Sequence, residues 1–215
     1  MNIAITGGAG FIGIELVKKL ISHNHHIRVL SRKSNYPIKG VELFVGDLTD
    51  PALDIEDFLN GVDVLYNCAG EVKDEKLMRN LQFSGTKTLI KHAKGRVNLW
   101  VQLSSVGAYG ICRNNVISEE SKENPVGTYE ITKTESDNLV KDSGIDYVIL
   151  RPSNVFGLNM PNQSLFQLIK LVKRKLFFYI GGSNTLANYV HVNDVVKALI
   201  LCSNKKSNVL KNVFI

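Results

Sequence analysis

The sequence predicts an α/β protein built on a doubly wound parallel sheet. Two observations lead to this prediction. Apolar runs of strand length alternate with longer segments of helical period, a pattern typical of parallel strands joined by helical crossovers. In addition, a glycine-rich turn from Gly7 to Gly13 separates the first apolar run from the first helical segment. Together they indicate strand, turn and helix in the order that such sheets require.

Six strands are expected from the apolar runs, and each is followed by a turn or a helical segment. The expected strands are Ile3–Ile5, Ile27–Leu30, Val41–Val45, Val62–Tyr66, Leu99–Leu103 and Tyr147–Leu150. The first helix presents one apolar face, formed by Phe11, Ile12, Leu16, Val17 and Leu20. Further helices are expected at about 53–59, 75–93 and 129–142. Right-handed crossovers between these strands give the doubly wound topology.

The pattern changes after residue 151. We expect a loop, a helix near 164–174, a short strand at Phe177–Ile180 and a helix beginning near Asn193. The sequence therefore divides into a core at 1–151 and a short, truncated region at 152–215. We expect this second region to pack on the same core and to cap the carboxyl ends of the strands, where ligands bind in such sheets.

Composition excludes several classes of protein. The 215 residues are 44% hydrophobic and 21% charged, which suits one globular domain and excludes disordered and collagen-like chains. No apolar run reaches the roughly 18 residues that a spanning helix needs, and the N-terminus lacks the pattern of a secretory signal. We therefore expect a cytoplasmic protein that makes no contact with a membrane.

The charge and the cysteines argue against two further kinds of site. The net charge of +6 suits an anionic ligand, but the basic residues are scattered, so no nucleic-acid partner is expected. One basic cluster, read as a solvated helix face, comprises Lys170, Lys173, Arg174 and Lys175. Cys68, Cys112 and Cys202 are odd in number and widely spaced, so neither a disulfide framework nor a metal site is indicated.

The glycine turn has the spacing of a dinucleotide-binding loop. Gly7, Gly10 and Gly13 follow a strand and open a helix. Glycine permits a tight turn and a close approach of the backbone to a pyrophosphate, and the helix N-terminus favours the anion. The alternative is a strand-to-helix turn that holds no ligand.

The end of the second expected strand favours NADP over NAD. An acidic residue at this place holds the ribose 2′-hydroxyl of NAD, whereas basic residues accommodate the 2′-phosphate of NADP. This chain has Ser31, Arg32 and Lys33 there and no carboxylate. The alternative is that both cations are ordinary loop charges and that NAD also fits.

Two further strand ends supply expected cofactor contacts. Asp47 and Leu48 follow the third strand, and Asp47 can accept a hydrogen bond from the adenine amino group. Cys68, Ala69 and Gly70 follow the fourth strand, where small residues let a cofactor lie along the sheet edge. Each segment taken alone is also a plausible turn or helix cap.

A serine, a tyrosine and a lysine form the candidate catalytic set. Tyr129 and Lys133 are one helical turn apart and therefore on one face, and Ser105 ends the fifth expected strand. A lysine ammonium and an oxidised nicotinamide would lower the phenol pKa from about 10. Tyr129 could then exchange a proton with a substrate oxygen that Ser105 binds. The alternative is a surface tyrosine and lysine on an amphipathic helix.

These residues together resemble the extended short-chain dehydrogenase/reductase family, particularly its NAD-dependent epimerase/dehydratase branch, and the resemblance runs from Met1 to about Asp194. The matching segments are T-G-G-A-G-F-I-G at 6–13, G-D-L at 46–48, S-S-V-G-A-Y-G at 104–110, Y-E-I-T-K at 129–133, L-R-P-S-N-V-F-G at 150–157 and Y-V-H-V-N-D-V at 189–195.

The resemblance implies a Rossmann core and assigns roles to individual residues. Ser105, Tyr129 and Lys133 would be catalytic, and Lys133 would also hold the nicotinamide ribose. Tyr109 would flank the nicotinamide and substrate, Asp194 would cap the helix that follows it, and His191 would pack. The implied cofactor-binding residues are Gly7, Gly10, Phe11, Ile12, Ser31, Arg32, Lys33, Asp47, Leu48, Cys68, Ala69, Gly70, Tyr129, Lys133, Pro152, Asn154 and Val155.

Three departures from the family pattern leave the function open. Gln82 stands where many members have asparagine, Ala187 stands where sugar-nucleotide enzymes commonly have arginine, and the chain stops at Ile215. The leading hypothesis is an NADP-dependent reductase or dehydrogenase that acts on a small-molecule carbonyl or sugar nucleotide. The alternatives are a nucleotide-sugar 4-epimerase with tightly bound NAD, and a module that binds or senses NADP without turnover. A homodimer is expected by analogy.

Overall fold

The computed structural model describes residues 1–111, 116–178, 186–203 and 210–215. Nine strands lie in these ranges: β1 (Asn2–Thr6), β2 (His26–Ser31), β3 (Glu42–Val45), β4 (Val62–Asn67), β5 (Val97–Leu103), β6 (Tyr147–Leu150), β7 (Asn154–Phe156), β8 (Tyr189–His191) and β9 (Asn212–Phe214). The α-helices are α1 (Phe11–Ile21), α2 (Glu56–Leu59), α3 (Glu75–Met78), α4 (Thr86–Ala93), α5 (Thr128–Lys141), α6 (Ser164–Lys173) and α7 (Val192–Cys202).

Seven of the strands form one parallel sheet in the order β3-β2-β1-β4-β5-β6-β9. The chain builds outward from β1 to β3 and then returns to place β4 on the other side of β1. A crevice is expected at the carboxyl ends of β1 and β4, because the helices that follow them leave on opposite faces. This arrangement confirms the predicted doubly wound fold.

Two hydrophobic clusters cover the two faces of the sheet. One face packs against α1 and α7, with Leu16 of α1 and Leu199 of α7 fully buried. The other face packs against α2 and α4, with Phe58 and Leu89 fully buried, and Val140 of α5 joins the same cluster. Burial of about 25 cal/mol per Å² of apolar surface makes these two layers the main stabilising contribution.

Part of the chain after residue 151 belongs to the sheet and its cover. The strand β9 pairs with β6, with Ile149 opposite Val213. The helix α7 packs on α1. The strands β7 and β8 form a separate parallel pair, with Val155 opposite Val190. The sequence therefore did not predict these three strands of three residues each, which are too short to show a period.

Other local predictions need correction. Phe177 and Phe178 lie in no strand, and residues 179–180 lie outside the described residues, as does Cys112. The expected helix at 75–93 consists of α3, a π-helical segment at Arg79–Gly85 and α4. Gln82 is 2% exposed within that π-helical segment.

The start of α7 also differs from the prediction. His191 caps this helix, because its Nδ1 accepts a hydrogen bond from the backbone N–H of Asn193 at 3.2 Å. Asp194 does not cap the helix. Its carboxylate is exposed and forms an ion pair with Lys197 at 2.9 Å. The His191 ring packs edge-on against Phe156, so the expected packing role of His191 is confirmed.

Within the described ranges, no helix is both long and apolar enough to cross a membrane. The same ranges contain no group of three or more His, Cys, Asp or Glu side chains placed to hold a metal ion.

Candidate active site

The glycine turn between β1 and α1 has no space for a side chain at Gly7 or Gly13. Gly7 has a φ of +68°, and a Cβ at this residue would lie 2.5 Å from the backbone carbonyl of Cys68. A Cβ on Gly13 would clash with the carbonyl oxygen of Gly7. The turn is therefore pressed against the end of β4, at the sheet edge where the topology reverses.

The start of α1 fits an anionic group. The residue before the helix, Gly10, has no side chain to cap it, and the first turn carries no acidic residue. The first amide groups of Phe11 and Ile12 thus begin a helix whose dipole favours a negative charge. The turn and helix start fit a dinucleotide pyrophosphate, because no side chain caps the first amide groups of the helix.

Tyr36 supports the glycine turn and was not predicted. Its hydroxyl donates a hydrogen bond to the carbonyl oxygen of Gly8 at 2.8 Å. Burial raises the pKa of Tyr36 to about 12, so the phenol remains a donor. Its position shortly after β2 was the only signal in the sequence, and only the folded chain places it beside Gly8.

The end of β2 presents two cations. Ser31 is buried, and its Oγ accepts a hydrogen bond from the backbone N–H of Lys33 at 3.1 Å. Arg32 and Lys33 are exposed, and neither forms an ion pair with any residue that the structure describes. Their charges are therefore available to a ligand at this strand end.

Asp47 closes a tight turn after β3. Its Oδ1 accepts hydrogen bonds from the backbone N–H and the hydroxyl of Thr49, at 2.9 and 2.8 Å. Leu48 points inward and is 7% exposed. The turn therefore fixes one carboxylate oxygen of Asp47 near the sheet edge.

The amino group of Lys133 lies between the ends of β4 and β5. Its Nζ donates hydrogen bonds to the carbonyl oxygens of Leu103 at 2.9 Å and Ala69 at 3.3 Å. A Cβ on Gly70 would lie 3.4 Å from the same nitrogen, so the small residue keeps this space open. An ammonium has three donors, and one remains after these two bonds. The predicted Lys133, Ala69 and Gly70 are thus brought together.

Desolvation dominates the electrostatics of the lysine and the neighbouring thiol. Burial lowers the pKa of Lys133, while the charge of the Asp137 carboxylate acts in the opposite direction. Burial raises the pKa of the Cys68 thiol to about 12. Cys68 therefore remains a neutral packing residue beside the lysine.

Tyr129 lies one turn before Lys133 on α5. Its pKa is raised to about 12, first by burial and then by the negative charges of Glu130 and Asp137. The expected lowering of this pKa by Lys133 is therefore not a property of the chain without its cofactor. Burial and these negative charges disfavour the phenolate, so the hydroxyl is held in its protonated form.

Ser105 lies at the end of β5, ahead of a short 3-10 helix at Val106–Tyr109. Its Oγ accepts a hydrogen bond from the backbone N–H of Gly107 at 3.1 Å. This bond uses an acceptor position of the hydroxyl, so the O–H remains able to donate. The backbone N–H of Val106, the residue that follows Ser105, donates to the carbonyl oxygen of Pro152 at 3.1 Å. This bond holds the loop against the end of β6.

The remaining predicted contacts lie at the β7–β8 pair. Val155 is half-buried against the core. The Asn154 side chain is exposed and donates to the carbonyl oxygen of Asn188 at 3.2 Å. Among the described residues, the Asn154 side chain forms no hydrogen bond with the three candidate catalytic side chains.

A buried ion pair lies beneath the catalytic set and was missed by sequence reasoning. Arg151 donates from Nε and Nη2 to one carboxylate oxygen of Asp137, at 3.1 and 2.9 Å. Ser104 donates to that same oxygen at 2.7 Å. The Arg151 guanidinium also lies over the Tyr109 ring, 5.0 Å from its centre. The helix that carries Lys133 is therefore tied to the ends of both β5 and β6.

Comparison with known proteins places the chain in a family. The sequence profile of the NAD dependent epimerase/dehydratase family matches residues 3–214. The chain is 27% identical over 218 residues to the UDP-glucose 4-epimerase of Vibrio cholerae, covering 94% of this chain and 66% of that protein. It is 25% identical over 215 residues to the decarboxylating sterol-4-alpha-carboxylate 3-dehydrogenase of Mus musculus, covering 94% of this chain and 59% of that protein.

A solved structure shares the fold. The UDP-glucuronic acid 4-epimerase of Bacillus cereus, in complex with UDP-glucuronic acid and NAD, superposes with a TM-score of 0.81 at 22% identity. The alignment covers 99% of this chain and 76% of that one. The chain spans 55% to 75% of the length of the curated relatives that it matches.

Proposed function

The chain belongs to the NAD-dependent epimerase/dehydratase family, and we propose that it is a nicotinamide-dependent oxidoreductase acting on a carbonyl or alcohol carbon of a sugar-like substrate. One observation carries the proposal. The buried ammonium of Lys133 lies between the ends of β4 and β5, with two donors fixed on Ala69 and Leu103, one turn after the Tyr129 phenol. A surface tyrosine and lysine would show neither this burial nor these bonds.

The residues suit a proton transfer coupled to hydride transfer. A bound nicotinamide dinucleotide would donate the hydride or accept it. Tyr129 is the proton donor to a carbonyl oxygen, since its pKa of about 12 in the cofactor-free chain keeps the phenol protonated. Ser105 donates a hydrogen bond to that substrate oxygen and orients it. The remaining donor of Lys133 would hold the nicotinamide ribose.

The glycine turn and the strand ends would hold the rest of the cofactor. The uncapped start of α1, at Phe11 and Ile12, suits the pyrophosphate. Asp47 would accept a hydrogen bond from the adenine amino group through the oxygen that Thr49 does not use. Pro152, Asn154 and Val155 would flank the nicotinamide side.

The experiment that tests the enzyme proposal follows the absorbance of reduced cofactor. The protein is incubated with NADPH or NADH and a panel of keto-sugar nucleotides, free keto-sugars and simple ketones. Tyr129→Phe should abolish turnover and retain cofactor binding. The matched control is Tyr147→Phe, because Tyr147 begins β6 at the opposite end of the sheet. Unchanged turnover in Tyr129→Phe refutes the assigned chemistry.

We also propose that the chain prefers NADP to NAD. Arg32 and Lys33 follow β2 with exposed side chains, and Ser31 stands where an acidic residue would select NAD. Hydrogen bonds to charged groups contribute about 1.5–3 kcal/mol, so Arg32→Ala should weaken NADPH binding at least about tenfold and leave NADH binding almost unchanged. Lys19→Ala, at the far end of α1, removes the same charge as a control. Equal or tighter binding of NADH by the wild type overturns this preference.

A redox-neutral 4-epimerase is the second candidate, because the Vibrio cholerae relative carries that activity in its name. The protein is incubated with UDP-glucose, and mass spectrometry and chromatography of the products distinguish the epimerase from the reductase. Isomerisation without consumption of added cofactor supports the epimerase, and stoichiometric oxidation of NADPH supports the reductase. The homodimer stays a prediction, and analytical ultracentrifugation tests it.

A further inference from the structure

Glu130 lies against the loop that carries the candidate catalytic serine. A Cβ on Gly107 would lie 2.5 Å from Glu130 Cγ and 3.5 Å from its Cδ. A Cβ on Gly127 would clash with the carboxylate oxygen Oε2. The Glu130 side chain therefore occupies the space that two glycines leave empty. Any side chain at residue 107 would displace it.

The same geometry places Glu130 beside the reacting groups. The Cβ position of Gly107 that lies 2.5 Å from Glu130 Cγ also lies 3.3 Å from Ser105 Oγ. The serine hydroxyl and the glutamate side chain are thus neighbours across Gly107. Glu130 also directly follows Tyr129, and its charge is one of those that raise the pKa of the phenol.

The Glu130 carboxylate is unpaired within the described part of the chain. Among the residues that the structure describes, no side chain forms an ion pair with it and no donor binds its oxygens. A glutamate in the first turn of a helix interacts favourably with the helix dipole, which accounts for the residue type. The two glycines account for the room that its side chain occupies, with Cγ against Gly107, on the side of Ser105, and Oε2 against Gly127.

We propose that Glu130 is a specificity-determining residue, which favours a neutral hydroxyl or an amino group beside the reacting carbon and disfavours a carboxylate there. The inference rests on the proposed function. A carboxylate accepts hydrogen bonds from hydroxyl and ammonium donors. Two negative charges a few ångströms apart in a partly desolvated site repel each other strongly. The substrate class is therefore a neutral or amino sugar in preference to a sugar acid.

The test compares UDP-glucose with UDP-glucuronic acid, which differ only in a hydroxymethyl group against a carboxylate. The ratio of kcat/KM for the two is measured with saturating cofactor in the wild type, Glu130→Gln and Glu135→Gln. Glu135 carries the same charge on the same helix but pairs with Arg79 at 3.1 Å. We expect the wild type to prefer UDP-glucose by about tenfold or more. Glu130→Gln should reduce that preference several-fold, mainly through the KM for UDP-glucuronic acid, and Glu135→Gln should leave it unchanged.

A second variant tests the position of the side chain with its charge kept. Gly107→Ala places a methyl group where Glu130 Cγ lies, and the backbone of Gly107 has no positive φ to oppose the change. It should shift the ratio in the same direction as Glu130→Gln. Thermal unfolding of each variant shows that it is folded before the ratio is measured.

Several outcomes overturn the inference. They are a wild-type preference for UDP-glucuronic acid, an unchanged ratio in folded Glu130→Gln, or an equal change in Glu135→Gln. If neither sugar nucleotide is turned over, their binding to the cofactor-loaded protein is compared by competition, and failure of both to bind also overturns it. If Tyr129→Phe is inactive and Glu130→Gln leaves the ratio of kcat/KM unchanged, only the role of Glu130 is rejected. Full activity of Tyr129→Phe rejects the proposed function itself.

Discussion

Arg151 and Asp137 form a buried ion pair in which the guanidinium donates two hydrogen bonds to a single carboxylate oxygen, at 3.1 and 2.9 Å. Arg151 is 1% exposed and Asp137 is 0% exposed. The pair joins the end of β6 to the helix of Tyr129 and Lys133. Because Ser104 donates to the same oxygen, it also fixes the residue before Ser105.

Removal of one partner of this pair should be strongly destabilising. Asp137→Asn removes the fully buried one of the two carboxylates that pair with Arg151, the other being Glu123 at 2.6 Å, and we expect the free energy of unfolding to fall by about 3 kcal/mol. Urea denaturation measures the change. Lys197→Met breaks the exposed pair with Asp194 and should cost less than about 1 kcal/mol. Similar losses for both variants would contradict a structural role of the buried pair.

Stability should decline in acid through Glu123. Burial disfavours its ionised form, but hydrogen bonds and charges from Arg151 and Lys141 outweigh burial and lower its pKa. Such a carboxylate contributes stability above its unfolded pKa of about 4.3, and this contribution is lost as the pH falls through the lower folded pKa. Glu123→Gln should therefore destabilise the protein most near neutral pH. The free energies of unfolding of the wild type and Glu123→Gln are measured across pH. A difference between them that does not shrink in acid would contradict this linkage.

The Tyr129 phenol should titrate differently with and without cofactor. Its pKa in the chain alone is about 12, and a positively charged oxidised nicotinamide beside it should lower that value. The measurement is the phenolate absorbance of the wild type minus that of Tyr129→Phe. We expect no difference up to about pH 11 without cofactor, and a titration below about pH 10 with it. Identical titrations in both states would show that the cofactor charge does not reach this phenol.

Gly7 and Gly95 offer a matched comparison of backbone strain and close approach. Both have positive φ, +68° and +76°, but a Cβ has a backbone neighbour at 2.5 Å only at Gly7. Gly95→Ala should cost about 1–2 kcal/mol from strain alone, and Gly7→Ala should cost a further ~1–3 kcal/mol from overpacking. Gly7→Ala should also weaken cofactor binding. Thermal and urea unfolding measure the two losses of stability, and a cofactor titration measures binding. Equal losses of stability in the two variants would contradict the close approach at Gly7.

The sequence predicted the central strands well because each is a continuous apolar run with its own turn signals. Tyr147–Leu150 matches β6 at both ends, and Ile3–Ile5 differs from β1 by one residue at each end. The strand β9 escaped prediction because three residues show no period, and its pairing with β6 joins positions more than 60 residues apart. Of the strand predicted at Phe177–Ile180, the described residues Phe177 and Phe178 lie in no strand, because an apolar pair does not by itself supply a strand neighbour.

The candidate site divides in the same way. The glycine turn and the Tyr129–Lys133 spacing could be read from the sequence alone, since both depend on residues within one turn or one helix. The bonds of Lys133 to Ala69 and Leu103, the support of Gly8 by Tyr36 and the direction of Glu130 depend on neighbouring elements of the fold.

By itself the sequence determined the parallel α/β architecture and the residue types for proton and hydride chemistry, because periodicity and local spacing fix strands, helices and helix faces. Only the tertiary structure decided the electrostatic state of those residues. Desolvation and the charges of Glu130 and Asp137 raise the pKa of Tyr129 in the chain without cofactor, whereas the sequence led to the expectation that Lys133 and an oxidised nicotinamide together lower it. Burial and charge proximity arise when distant segments pack together, and no local pattern records them.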